Sequence, residues 1–322
     1  MASELEEIHV SCGVPQGSIL GPLWFHVYIN DISYASDALS LVVFADDTNA
    51  FISGDNLDNL VDQTNNEMLK IARWLKANKL TINVSKTKYN SFKTKNKQAV
   101  TDKSVGIGNE QLERVRCTRF LGVYINENLS WVDHIAHLRK KISRGIGIIC
   151  KARRLLSKEA CLTLYHSFIF PFLSYCVEVW GGTFVTHLHP LLVLQKRAVR
   201  LLTNSHSRTH AAPLFLQLKI LPLQQIYEFF LSKFVFRFHA HLLPRPFHDF
   251  FIQNYQIHTI RTRNIHKFQI PKFRLTVSQH SVRFMGAKLY NQLNGVLKFN
   301  TITSISLFKK KMKFYLYNSL PT

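Results

Sequence analysis

Hydrophobic positions along the chain follow a helical period after Leu57. Apolar residues recur there every three or four positions, which is the spacing of one face of an α-helix. Lys76 and Lys79 suit the C-terminal end of such a helix, because the helix dipole favours positive charge there. The pattern predicts a helix from about Leu57 to Lys79, with its apolar face formed by Leu60, Val61, Met68, Ile71 and Leu75.

A shorter period of alternating or continuous apolar residues surrounds this helix and indicates β-strands. Residues 41–52, LVVFADDTNAFI, contain two short β-type runs on either side of a polar turn, which predicts a hairpin. LTINVSKTKYNSF returns to strand character after the helix, and FLGVYI forms a third β-type segment. Before the hairpin, the glycine- and proline-rich loop GVPQGSILGP runs into LWFHVYINDI, which we interpret as a helix.

After residue 130 the pattern becomes mostly helical. The segment from Asp133 to Leu156 predicts an amphipathic helix, and further helices are predicted at 158–176, 187–203, 222–242 and near the C-terminus. Its apolar face consists of Ile135, Leu138, Ile142, Ile146 and Ile149. Its other faces carry seven basic residues, Arg139, Lys140, Lys141, Arg144, Lys151, Arg153 and Arg154.

The charge of the chain is distributed unevenly. Hydrophobic residues make up 46% and charged residues 19% of its 322 residues, which is ordinary for a globular protein with two or three domains. The net charge is −5 for residues 1–90 and +26 for residues 91–322, which together give +21. A field of this sign attracts polyanions, nucleic acid first and an anionic membrane surface second. The alternative is a solvated basic surface that only keeps the protein soluble.

Cysteine usage and the apolar stretches indicate an intracellular protein, in the nucleus or the cytoplasm. The five cysteines are scattered without short paired spacings, which favours reduced thiols. The first ten residues lack the apolar run of a signal peptide. The most apolar stretch, SFIFPFLSYCVEVW, is interrupted by Pro171 and Glu178 and is too short to span a bilayer.

The tip of the predicted hairpin carries two adjacent acids, Asp46 and Asp47. Enzymes that act on phosphate esters use carboxylates to hold divalent metal ions beside the phosphate. Neighbouring side chains point to opposite faces of a regular strand, so a tight turn is what lets them converge. The alternative is a plain turn, in which aspartate and asparagine are favoured for backbone reasons alone.

The segments around this turn closely resemble successive motifs of reverse transcriptases. GVPQGSILGPLWFHVYINDI is similar to the family's glycine-glutamine loop and following helix, and LVVFADDTNAF to its Phe-Ala-Asp-Asp hairpin. WLKANKLTINVSKTKYNSF resembles the fourth palm motif, and FLGVYINENLSWVDHI the primer grip and start of the thumb in non-LTR (LINE-type, jockey-like) retrotransposons. The segments from Ile260 onwards are similar to the tail of such polymerases. The order and spacing of these motifs indicate the C-terminal part of a reverse transcriptase.

The resemblance implies catalytic roles for Asp46, Asp47 and Lys86, and nucleotide- or template-binding roles for Phe44 and Ala45. Asp46 would ligate the metal ions, Mg²⁺ or Mn²⁺, and Asp47 would assist. Phe44 and Ala45 would shape the floor beneath the nucleotide or the primer end. Lys86 would donate a proton to the leaving pyrophosphate; the alternative for Lys86 is an ordinary surface charge.

It also implies binding roles for two other segments. Gln16 and Gly17 would lie against the incoming deoxynucleotide and the template, with glycine needed because the backbone approaches the ligand closely. For Gly17 the alternative is simple loop geometry. Phe120, Leu121 and Gly122 would grip the primer strand; a buried core strand is the alternative, and both interpretations can hold together.

One departure from the family pattern predicts that the chain alone is inactive. Reverse transcriptases supply another metal-binding aspartate from a palm strand upstream of the glycine-glutamine loop. The residues before that loop, MASELEEIHV, contain no aspartate, and neither fingers nor an endonuclease domain is recognisable. Misplacement of the reacting oxygens alone can reduce the rate by about 100-fold.

The predicted fold class is α+β, a partial right-hand polymerase palm of short antiparallel strands and helices, followed by a helical thumb and a basic C-terminal region. The predicted domains are 1–130, the palm with primer grip; 131–243, the thumb; and 244–322, a poorly defined basic and aromatic-rich tail. The expected partners are an RNA template and a DNA primer, bound through phosphate contacts and by base stacking, and no membrane. Two other hypotheses stay open: a non-catalytic nucleic-acid binder derived from a mobile element, and a decayed element without a cellular role.

Overall fold

A computed structural model describes residues 17–93, 102–257 and 264–320 of the chain. It divides into two compact units, residues 1–118 and residues 119–322, and the division falls inside a strand. The predicted α+β class is confirmed: helices dominate and the strands are short. Within the described residues, no helix is both long and apolar enough to cross a membrane.

The first unit is built around one long helix with short strands beside it. Its helices are α1, Leu20–Ile29, continued by a 3-10 segment Asn30–Ala35, and α2, Leu57–Ala77. Its strands are β1, Ser40–Phe44; β2, Asp47–Phe51; β3, Lys88–Tyr89; β4, Gly106–Ile107; β5, Glu110–Gln111; and β6, Glu113–Arg114. The Asn56 side chain accepts a hydrogen bond from the Asn59 amide at 3.1 Å, so α2 begins where an N-cap residue stands.

The strands form separate two-stranded sheets, and one prediction about them was wrong. Strands β1 and β2 pair antiparallel, as do β4 and β5, but β3 and β6 pair in parallel. The strand predicted in LTINVSKTKYNSF is reduced to Lys88–Tyr89, because the side chain and carbonyl of Asn83 accept hydrogen bonds from the backbone at 86 and 87 and bend the chain.

Two small apolar clusters in the first unit involve different ends of α2. Ile71, in its C-terminal half, packs with Leu41 and Val43 of β1 and with residues of α1 and the 3-10 segment. Val61, in its N-terminal half, packs with Val84 and with residues of the short sheets. The predicted helix is thus confirmed. The hairpin β1–β2 packs against its C-terminal half only.

The second unit is a hairpin followed by helices. The hairpin consists of β7, Cys117–Phe120, and β8, Val123–Asn126. The helices are α3, Val132–Ala152; α4, Lys158–Phe168; α5, Phe170–Ser174; α6, Val177–Trp180; α7, Val185–Leu202; α8, Ala212–Leu218; α9, Leu223–His239; α10, Thr276–Gln279; α11, Val282–Leu297; and α12, Ile305–Asn318. Short 3-10 turns lie at Arg245–Phe247, Asn254–Gln256 and Phe299–Thr301.

The predicted apolar face of α3 is confirmed, since its five hydrophobic residues are all buried. The helix predicted at 158–176 is instead divided into α4 and α5, which carries a proline in its first turn. The chain then bends at Tyr175–Cys176, where Cys176 has a φ of +49°, and continues into α6. The helices α6, α8, α10 and α11 were not predicted from the sequence.

The C-terminal region is part of the helical core, so the expectation of a poorly defined tail was wrong. Phe308, Met312 and Leu316 of α12 are fully buried, and Tyr290 of α11 is 1% exposed. They belong to the same hydrophobic cluster as the residues of α3 and α9. Phe229, Phe236, Phe251 and Phe268 are also buried in this core. As a division into functional domains, the boundaries at 130 and 243 stay a prediction.

Candidate active site and nucleic-acid interface

The Asp46–Asp47 turn closes a two-residue hairpin loop. Phe44 pairs with Asp47 across the strands, so Ala45 and Asp46 alone form the loop. Ala45 has a φ of +51°, in the left-handed region, whereas Asp46 is outside the positive-φ region. This conformation costs a residue with a Cβ about 1–2 kcal/mol compared with glycine. The turn therefore places two neighbouring carboxylates at an exposed tip on a strained backbone.

One face of the hairpin β1–β2 packs against the first unit, and its other face is exposed to solvent. Leu41 and Val43 pack into the cluster around Ile71, while Val42 and Phe44 point the opposite way and are 41% and 60% exposed. This alternation is the ordinary side-chain period of a strand. The Phe44 side chain is thus exposed beside the acidic tip.

The two carboxylates fit a hard divalent cation. Asp46 and Asp47 are exposed, and neither has a hydrogen-bond or ion-pair partner in the described part of the chain. Mg²⁺ typically takes one or two protein carboxylates, with waters and substrate phosphates completing its six oxygens, and Mn²⁺ accepts the same ligands. Across residues 17–93, 102–257 and 264–320, no group of three or more His, Cys, Asp and Glu side chains is arranged to hold a metal.

Other predicted residues of the first unit lie apart from the turn or outside the description. Gln16 is outside the described residues. Gly17 has a φ of +85°, and no described atom lies within 4 Å of a Cβ built on it, so its backbone and not crowding calls for glycine. Lys86 is exposed in the turn after Asn83, next to the cluster of Val61 rather than that of the hairpin.

The predicted primer-grip residues form the turn of the hairpin β7–β8. FLGVYI is therefore two strands joined by a tight turn, and not the single strand that the sequence suggested. Leu121 and Gly122 both have positive φ angles, +44° and +84°, which is the pattern of a type I′ turn. Phe120, Leu121 and Gly122 are all half-buried. The dipeptide ending in glycine was the available signal for this turn.

The base of this hairpin is tied to the start of α3. The Asn126 side chain accepts a hydrogen bond from the Ser130 amide at 2.9 Å, and its amide donates to Asp133 Oδ2 at 2.8 Å and to Ser130 Oγ at 2.7 Å. The Tyr124 backbone N–H donates to His134 Nδ1 at 3.4 Å. These contacts hold the hairpin against the basic helix, and Asn126 was not among the residues predicted to be functional.

The seven basic residues predicted on α3 and just after it lie on its accessible surface. Lys141 and Arg153 are half-buried, and the other five are exposed. Across the described residues, none of the seven forms an ion pair. Burial, together with the positive charges of Lys141, Arg119 and Lys140, lowers the pKa of His137. The hairpin and the helix thus contribute to one region of positive potential.

Acid is expected to destabilise this unit through His134. Burial, followed by the neighbouring His137, lowers the pKa of His134 to about 4, whereas an unfolded histidine titrates near pH 6.5. Between these values the unfolded chain binds a proton that the folded chain excludes, so stability is full above about pH 6.5 and falls towards pH 4. The loss due to His134 is on the order of 3 kcal/mol.

The measurement is the urea midpoint as a function of pH for the wild type, His134→Asn and His189→Asn. Only His134→Asn should flatten the slope between about pH 4 and 6.5, because His189 is exposed. The pH slope of each variant must be compared with that of the wild type. Burial raises the pKa of Glu178 and Glu228, and these two groups therefore stabilise the folded chain as the pH falls, which opposes the effect of His134. Equal slopes in the wild type and His134→Asn would contradict the prediction.

Residues 1–125 match the family described as reverse transcriptase (RNA-dependent DNA polymerase). A probable RNA-directed DNA polymerase from transposon X-element of Drosophila melanogaster is 25% identical over 205 residues, which cover 62% of this chain and 22% of that protein. A Pol polyprotein from type-1 retrotransposable element R1 2 of Nasonia vitripennis is 28% identical over 183 residues, or 52% of this chain and 43% of that protein.

A third relative is the RNA-directed DNA polymerase from mobile element jockey of Drosophila funebris. It is 24% identical over 207 residues, which cover 61% of this chain and 22% of that protein. The chain thus spans less than half the length of these curated relatives, and no solved structure matches it significantly. The Asp-Asp hairpin lies inside residues 1–125, which match the reverse transcriptase family, and the chain is similar to RNA-directed DNA polymerases of mobile elements.

Proposed function

We propose that the Asp46–Asp47 turn is the metal-binding part of an RNA-directed DNA polymerase site that works by two-metal phosphoryl transfer. The observation that carries this proposal is the exposed pair of adjacent carboxylates, without protein partners among the described residues, inside the segment that matches reverse transcriptases. A buried or ion-paired acid would have its charge offset by the protein. These two acids leave theirs available to Mg²⁺ or Mn²⁺.

The residues around the turn have the following proposed tasks. Asp46 and Asp47 hold the ion, which when bound offsets charge on the transferring phosphoryl group. Phe44 offers its exposed ring beside the tip as an apolar floor, and Ala45 keeps the loop narrow. Lys86 is the proposed proton donor to the leaving pyrophosphate, on the family resemblance alone. Gln16 and Gly17 are proposed to contact the incoming deoxynucleotide and the template, again by resemblance.

The nucleic-acid partners are proposed to be an RNA template and a DNA primer. Phe120, Leu121 and Gly122 form the half-buried turn of the hairpin β7–β8 next to the basic helix, where a primer strand would meet both a grip and positive charges. Unpaired arginines and lysines on α3 contact phosphates without reading base sequence. We refer to Arg139, Lys140, Lys141, Arg144, Lys151, Arg153 and Arg154 as the basic face.

We further propose that the chain alone extends primers at least about 100-fold more slowly than a complete polymerase. Two-metal catalysis holds both the attacking and the leaving oxygen, with the ions roughly 3.5–4 Å apart. Asp46 and Asp47 come from one turn, so they restrain the ions from one side only. Ions held in this way leave the reacting oxygens poorly aligned.

The test is a charge-neutral change of the turn. The double variant Asp46→Asn, Asp47→Asn is expected to lose Mn²⁺ binding, measured by electron paramagnetic resonance of the free ion, and any primer extension on an RNA template. Binding of the primed template in the absence of metal should persist, because the basic face is unchanged.

The matched control is Asp31→Asn, Asp37→Asn, which removes two exposed acids from the same unit. It should bind Mn²⁺ as the wild type does. Equal Mn²⁺ binding by the two double variants would refute the metal site. Efficient extension by the wild-type chain would refute only the proposed inactivity.

A second candidate function is a non-catalytic nucleic-acid binder, favoured by the basic face without ion pairs. Replacing Arg139, Lys140 and Lys151 with alanine is expected to reduce the slope of log Kd against log salt by about 2–3, because each phosphate contact contributes close to one. The control replaces Arg73, Lys76 and Lys79, which are exposed and remove the same charge from the first unit. Equal slopes for both triple variants would mean that net charge, and not the basic face, governs binding.

A further inference from the structure

The side chain of Tyr175 contacts the turn of the hairpin β7–β8. Its hydroxyl donates a hydrogen bond to the Leu121 carbonyl at 2.6 Å, across 54 positions of sequence. A Cβ built on Gly122 would lie 3.5 Å from Tyr175 Cε1, which is ordinary van der Waals contact. The phenol ring therefore lies against Gly122 while its hydroxyl holds the preceding peptide.

The backbone of Tyr175 is itself fixed to the core. Its N–H donates to the Pro171 carbonyl at 2.9 Å, and its carbonyl accepts from the Trp180 indole N–H at 2.9 Å. Trp180 is fully buried, and the next residue, Cys176, turns the chain with a φ of +49°. Tyr175 thus extends from a rigid corner between α5 and α6, although its side chain is 52% exposed.

The turn it contacts needs such support. Leucine disfavours the left-handed conformation that Leu121 adopts, because its Cβ crowds the following carbonyl. A two-stranded hairpin is also only marginally stable by itself. Asn126 and His134 secure the base of the hairpin, and Tyr175 secures its tip.

We propose that Tyr175 is a positioning residue that keeps the Leu121–Gly122 turn in the conformation offered to a primer strand. This inference rests on the proposed function of Phe120, Leu121 and Gly122 as the primer grip. Tyr175 acts through the Leu121 carbonyl. Burial raises the pKa of Tyr175, so the phenol stays protonated and able to donate at neutral pH.

The chain contains a closely matched control. The Tyr317 hydroxyl also donates to a backbone carbonyl at 2.6 Å, that of Lys219, across 98 positions. Lys219 has a φ of +53° and Leu121 a φ of +44°, so both acceptors are left-handed residues of the same unit. Tyr175→Phe and Tyr317→Phe each remove one hydroxyl and one such hydrogen bond, and only the first concerns the hairpin.

The first measurement is hydrogen exchange of the full chain without nucleic acid. Tyr175→Phe should accelerate exchange of the Gly122 and Val123 amides by about two- to tenfold, the range expected for one lost hydrogen bond. Tyr317→Phe should leave these amides unchanged. If Tyr175→Phe also leaves them unchanged, Tyr175 does not hold the turn and the inference is overturned.

The second measurement is the affinity for a DNA primer annealed to an RNA template, compared with a blunt hybrid that lacks a recessed primer end. Tyr175→Phe should weaken binding of the primed hybrid by about two- to tenfold and change the blunt hybrid less, while Tyr317→Phe changes neither. If Tyr175→Phe accelerates exchange at the turn but binds the primed hybrid as tightly as the wild type does, the positioning role is overturned and the proposed function stands. A wild-type chain that does not prefer the primed hybrid would refute the grip itself, and this inference with it.

Discussion

Replacing Phe308 with alanine is expected to lower the free energy of unfolding of the helical unit by about 3–5 kcal/mol. Phe308 is fully buried in α12, and its ring stacks on Phe236 of α9 with centroids 4.5 Å apart. Truncation leaves a cavity between two helices that are fixed by other contacts, so the site cannot collapse fully. Urea denaturation followed by circular dichroism measures the change.

Phe314→Ala is the control, because Phe314 lies in the same helix but is 69% exposed. Its effect should stay within about 0.5 kcal/mol. If both variants unfold at the same urea concentration, α12 is not part of the core and the region after residue 243 is a separate tail.

Replacing Gln195 with leucine should destabilise the same unit by on the order of 4 kcal/mol, since each buried group left unpaired costs about 1–3 kcal/mol. Gln195 is fully buried on α7. Its amide donates to the Leu221 carbonyl at 2.9 Å and to the Tyr165 hydroxyl at 3.0 Å, and its carbonyl accepts from the Leu223 amide at 2.8 Å. Leucine fills a similar volume but satisfies none of these groups.

The matched control is Gln217→Leu, the same change at an exposed position of α8. It should alter the thermal midpoint little, while Gln195→Leu lowers it by many degrees. Similar midpoints for the two variants would show that the three hydrogen bonds do not join α4, α7 and the start of α9 in solution.

The sequence predicted best what depends on local periodicity. The long helices α2, α3, α7 and α9 have apolar faces that recur within a few residues, so their positions follow from spacing alone. The hairpin at Asp46 was also predictable, because a polar turn between two apolar runs is a local signal. The helices α8 and α11 were missed because the apolar spacing within them was not recognised.

What the sequence could not predict depends on contacts between distant residues. The parallel pair β3–β6 joins positions some 25 residues apart, and no pattern in either strand specifies its partner. Tyr175 reaches Leu121 only because the chain bends after α5, and its role cannot be inferred from spacing. The phenylalanines after residue 227 look the same in sequence whether they stack on bases or fill a core, and burial decides between the two.

The left-handed backbone at Ala45 has a consequence for how this turn tolerates substitution. In a randomised library, position 45 should retain small or turn-forming residues such as glycine and asparagine and reject valine and isoleucine, whichever property is selected. Asp46 has no such backbone requirement, so under the proposed function only metal binding constrains its identity. Selection for a folded protein would let position 46 drift, whereas selection for copying would restore aspartate there.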